Sequence, residues 1–149
     1  MISLIIEQTQ EKVDTQQLRE LVEEEIRNGR SIRFGGYPGY PEFTYYVVDH
    51  PRMAGGAVTI RKDDEVRYPG QLSSPDDHYY IIHSDLSENM KIIAAIHEYY
   101  HANTGSHNKA VIAEREFSVA FGMFPDFFRF RTEVARNAAT NRGIRCSWL

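Results

Sequence analysis

From Asp85 the chain runs to Gly105 without a glycine or proline, and late in that run stands His97-Glu98-Tyr99-Tyr100-His101. Met90, Ile93 and Ala94 precede His97 at helical spacing, and Asp85 and Glu88 have capping-box spacing just before the apolar run. The pattern predicts a helix to about Asn103, with the two histidines at the end of a buried stripe. Buried imidazoles need partners, and residues four apart on a helix lie on one face.

That spacing is the HExxH pattern. Two imidazoles one turn apart can reach the same ion, and zinc accepts histidine nitrogens at about 2.0–2.1 Å. A glutamate next to the first histidine leans beside the metal, where it can take a proton from activated water. His97 and His101 are therefore candidate zinc ligands and Glu98 the candidate general base for hydrolysis of a peptide bond. Catalytic zinc normally has three protein ligands. Thr104 to Asn108 forms a turn, and a second helix from about Lys109 to Phe121 should return antiparallel to the first. It carries Glu114 and Glu116. Glu114 shares a face with Ala110, Ala113, Phe117 and Phe121, which makes it the preferred third ligand; Glu116, beside Ile112, Ala113 and Ala120, is the alternative. An electrophilic donor for the oxyanion is also needed. His107, His83, Tyr100 and Arg115 are candidates, His107 and Tyr100 foremost, although a surface position is the commoner fate of a turn histidine such as His107. His50 and His78 read as loop histidines.

The remaining elements are shorter. Residues 2–6 read as an apolar strand, and residues 14–28 as a helix with Asp14 and Gln17 at capping-box spacing, a stripe of Leu18, Leu21, Val22 and Ile26, and Gly29 as its stop. Residues 35–41 form a turn-rich loop, whose tyrosines are expected to pack rather than line a groove. Residues 43–49, 57–61 and 79–83 read as strands, residues 62–78 as polar turns. Gly122 and Pro125 interrupt the helix bearing the acids, and a last helix runs from Asp126 to about Ala139. With strands early and helices late, the order indicates one α+β domain over residues 1–149.

Composition narrows the classes. With 42% hydrophobic and 26% charged residues, the chain has the balance of a globular domain. A net charge of −4 argues against a nucleic-acid partner. The arginines at 129, 131, 136, 142 and 145 are expected to be a solvated C-terminal face rather than a phosphate-binding patch. The single cysteine, Cys146, permits no intrachain disulfide and fits a reducing compartment. No apolar run reads as a signal peptide or a membrane span, so the expected location is the cytoplasm.

The segment from Ile81 to His101 resembles the strand–helix core of gluzincin metallopeptidases, and within them most resembles the small ImmA/IrrE-like domain. Glu114, Ser118, Ala120-Phe121 and Pro125 can be laid on the pattern of that family's next helix. The resemblance covers about 45 residues, from Tyr79 to Pro125. It implies a zincin-like fold, in which a small mixed or antiparallel sheet packs on the HExxH helix. It also implies a zinc cofactor, Ser118 as the residue that orients a ligand histidine, and a specific regulatory protein as substrate. Two other readings stand beside the peptidase. One is a zincin-fold protein-binding module with structural zinc or none, since Tyr99 and Tyr100 could crowd a cleft. The other is a pair of core histidines with no metal at all. The oligomeric state is not legible.

Overall fold

The computed structural model describes residues 2–49, 56–62 and 77–140, with side chains described within 15–132 of these stretches. Among the described residues the elements run α1 (Ile2–Arg27), β1 (Ile32–Phe34), β2 (Phe43–Val48), β3 (Ala57–Arg61), β4 (His78–His83), α2 (Glu88–Thr104), α3 (His107–Ala120) and α4 (Phe124–Thr140). The α+β class holds. The strands form one mixed sheet in the order β1-β2-β4-β3. β1 and β3 pair antiparallel with their neighbours, while the central pair β2–β4 is parallel.

Side chains alternate across a strand, and that alternation divides the molecule into layers. On one face, Tyr46 and Val48 of β2, Val58 and Ile60 of β3 and Ile81 of β4 pack with Leu18 and Val22 of α1. On the other, Phe43, Tyr45, Ala57, Tyr80 and Ile82 pack with the inner faces of α2, α3 and α4. Each fully buried aliphatic or aromatic side chain contributes about 1.5–3 kcal/mol relative to exposure, so these two layers are what fix the helices to the sheet. α1 is also pinned by Arg19, whose Nε donates to the Arg61 carbonyl at 3.0 Å.

Several boundaries differ from expectation. Residues 2–6 are not a strand; they are the first turns of α1, and Asp14 lies inside that helix rather than capping it. The run from Ile2 to Asn28 contains no glycine or proline to stop a helix, and an apolar pentad alone cannot distinguish the two periodicities. Ile26, expected on the buried stripe, is 42% exposed. β1 was not expected: it is three residues long, with Phe34 buried and the other two exposed, too short for a pattern. His78 opens β4 instead of lying in a loop. α2 is capped by Ser87, whose side chain accepts from Met90 N at 3.3 Å, two residues beyond the expected Asp85. His50, Cys146, Arg142, Arg145 and most of the polar stretch 62–78 lie outside the described residues.

The turn between α2 and α3 is short and well defined. Gly105 terminates α2 at φ 67° and ψ 14°, the left-handed region, with its N–H on the His101 carbonyl. Ser106 caps α3 by accepting from Lys109 N at 3.2 Å. The returning helix thus brings Glu114 back to the level of His97, as the antiparallel expectation requires. Phe117, one turn on, is fully buried against Phe34, Tyr37, Tyr40 and Phe121. The tyrosines of the 35–41 loop therefore pack, though Tyr40 also borders a surface groove.

Candidate metal centre

α2 lies across the sheet with Tyr99 beneath it, stacked on Phe43 at 4.6 Å between ring centroids. Asn103 Nδ2 donates to Tyr80 Oη at 2.9 Å and ties the end of the helix to β4. With Tyr99 committed to the sheet, helical geometry turns His97 and His101 toward α3 and Glu98 toward β3. His97 and Glu98 are fully buried, whereas His101 is half-buried.

Three imidazoles gather there. The His97 and His101 rings lie 5.8 Å apart between centroids. His107, the first residue of α3, places its ring 5.2 Å from His97 and 5.8 Å from His101. Behind His97 sits Glu114, fully buried, with Oε1 3.4 Å from His97 Nδ1 and 3.3 Å from Arg131 Nη1. Neither carboxylate oxygen of Glu114 makes a hydrogen bond. Burial pushes the Glu114 carboxyl up to about 8 against the lowering influence of Arg131 and His107, and pushes the His97 imidazole down to about 3. Burial also lowers His101. Nitrogen and oxygen donors of this kind are the ones zinc takes. As the side chains stand, no group of three or more His, Cys, Asp or Glu among the described residues is arranged to hold a metal ion. The rings are close, but their nitrogens do not converge.

Glu98 is placed by β3. Thr59 Oγ1 donates to Glu98 Oε2 at 2.7 Å, so one carboxylate oxygen is fixed by the edge strand. Sequence reasoning passed over this residue. Its signal was slight: in β3, Val58 and Ile60 form the α1 face, which leaves Thr59 and Arg61 as the polar members of the opposite face. Arg131 was also missed, having been expected to be solvated. It lies four residues after Phe127 and next to fully buried Phe130, so its part-buried position facing an acid follows from the apolar face of α4.

The other candidates separate. Glu116 is exposed and borders the groove with Tyr40, Tyr100, Thr104 and Lys109. Tyr100 faces that same groove, while Tyr99 is under the helix, so the rings expected to crowd a cleft are turned elsewhere. Ser118 does not reach a histidine: its hydroxyl donates to the Glu114 carbonyl at 2.6 Å, one turn back in its own helix. His83 is bound into the β4–α2 link, where its Nδ1 accepts from Asp85 N at 3.1 Å. Arg115 is exposed on α3. Of the four proposed oxyanion donors, His107 reaches the cluster.

No protein-family model, curated protein or solved structure matches this chain. No described helix is long and apolar enough to cross a membrane.

Proposed function

We propose that the chain is a zinc metallopeptidase of zincin-like fold that hydrolyses a protein or peptide substrate in the cytoplasm. The observation that carries this reading is the placement of Glu98: a fully buried carboxylate, held by Thr59 at 2.7 Å, on the helix that presents His97 and His101 side by side. A merely structural pair of core histidines leaves no reason for an acid to be buried next to them and fixed by its own hydrogen bond. The resemblance to the ImmA/IrrE-like domain agrees with this reading, and by that analogy the substrate is a specific regulatory protein.

His97 and His101 would hold the metal, with a third donor from α3, where both Glu114 and His107 lie against His97. Bound zinc contributes Lewis acidity, which makes water a nucleophile near neutral pH and polarises a carbonyl. The chain's own residues do the rest. Thr59 occupies Oε2 of Glu98 and so aims Oε1. Glu98 takes a proton from the attacking water and passes it to the leaving amine. Burial of Glu98 keeps bulk water from competing for that proton.

The test is hydrolysis of unfolded casein by wild-type protein and by Glu98→Gln, each with its zinc content measured. The expected result is a loss of about 10²–10⁴-fold in rate with zinc retained. Full activity in Glu98→Gln with zinc still bound would end the peptidase reading.

A further inference from the structure

We propose that the groove between the 35–41 loop, α2 and α3 is a docking site for an arginine side chain of a partner protein, with the Glu116 carboxylate as its counter-charge. The groove lies on the opposite flank of α3 from the histidine cluster and needs no metal.

The groove holds about 390 Å³, the size of a ligand cleft, and its lining includes Tyr40, Tyr100, Thr104, Lys109, Ile112 and Glu116. Its position follows from helical geometry. Successive residues of a helix turn by about 100°, so Glu116 stands about 200° round α3 from Glu114. Glu114 faces His97 and is buried, and Glu116 is therefore turned to solvent, away from the candidate metal centre. None of His97, Glu98, His101 and Glu114 lines the groove.

The lining suits one kind of side chain. Ile112 is 46% exposed, and with half-buried Tyr40 and Tyr100 it offers apolar surface to a methylene stem. Tyr40 is fixed from behind: its ring lies 5.1 Å from that of Phe117 at 85° and 6.0 Å from that of Phe121 at 68°. This wall stands before any partner arrives, which lowers the ordering cost of binding. The Glu116 carboxylate makes no ion pair or hydrogen bond among the described residues. Burial raises the Tyr40 and Tyr100 hydroxyls above the usual phenol range, and the Glu116 charge acts on both in the same direction. The phenols therefore stay neutral, and the formal charge beside them is that of Glu116. A guanidinium matches this combination, because it is planar, forks onto a carboxylate and stacks on aromatic rings. Lys109 lines the groove two turns earlier on α3, about 10 Å from Glu116 along the axis. It repels a cation, so the guanidinium is seated at the Glu116 end.

Titration of the isotopically labelled full chain with the peptide acetyl-Ala-Leu-Arg-Ala-amide, followed by NMR, tests this, with the citrulline peptide as a neutral isostere. The expected result is a saturable shift of the amide signals of Tyr100, Ile112 and Glu116 with a Kd of about 1 mM. Citrulline in place of arginine and Glu116→Gln should each weaken binding about fivefold, the worth of one partly exposed ion pair, while Lys109→Gln tightens it. Glu116 is exposed on its helix, so the glutamine variant keeps the fold. Equal binding of the citrulline peptide, an unchanged Kd in Glu116→Gln, or unmoved groove signals at about 10 mM peptide would overturn the assignment. So would shifts of those signals with protein concentration alone, which would give the groove to a second copy of the chain.

Discussion

Glu98 and Glu114 are both fully buried acids, yet their surroundings differ in a way that separates their roles. Glu98 has a hydroxyl donor at 2.7 Å; Glu114 has an arginine nitrogen at 3.3 Å and an imidazole nitrogen at 3.4 Å, neither in hydrogen-bond geometry. Thr59→Val therefore leaves zinc content unchanged and slows hydrolysis by about tenfold, the worth of a hydrogen bond to a charged group, and Thr59→Ser restores the rate. For metal-free protein the pH dependence has a definite sign. Glu114 keeps its proton in the fold up to about 8 against 4.5 when unfolded, so its contribution to stability is lost as pH rises through that window. His97 refuses a proton down to about 3 against 6.5 when unfolded, so its contribution is lost as pH falls through that window. Between 4.5 and 6.5 the two oppose each other, and from 6.5 to 8 Glu114 acts alone. Metal-free protein should thus lose stability from pH 6.5 to 8, and Glu114→Gln should flatten that fall in urea titrations. Stability that rises over this interval in wild type would refute the assignment of Glu114 as a buried, proton-holding acid.

At the level of elements, the link between α2 and α3 and the packing beneath α3 position the cluster. Gly105 sits at φ 67° with open space where a Cβ would go, so Gly105→Ala incurs backbone strain alone, about 1–2 kcal/mol. Phe117 is fully buried among four aromatic rings, and Phe117→Ala should cost about 3–5 kcal/mol in chemical unfolding. The long helices and the strands β2, β3 and β4 were legible because each carries enough residues for its own periodicity to show. What failed was short or ambiguous: three residues of β1, five apolar residues at the start of α1, and a capping choice between Asp85 and Ser87 that depends on where the link from β4 ends. The parallel pairing of β2 with β4 and the placement of β3 at the sheet edge are long-range choices that no local pattern states.

Across the whole molecule, the site was legible where one helix builds it and obscure where several elements meet. His97, Glu98 and His101 follow from helical spacing alone. Thr59 arrives from the sheet edge, His107 from a turn and Arg131 from the last helix, and their approach depends on how the layers pack. Glu114 was separable from Glu116 by its apolar face, and the structure buries the first and exposes the second. For Ser118 analogy fixed a position but not the direction of its hydroxyl, which donates to the Glu114 carbonyl. Every role proposed for these residues requires that the assembly hold a metal. Elemental analysis of protein purified without chelator, beside His97→Ala and His101→Ala variants shown to be folded, tests that most directly. One zinc per wild-type chain and none in either variant is the predicted result. A folded wild-type protein that stays free of zinc when the metal is supplied would contradict it.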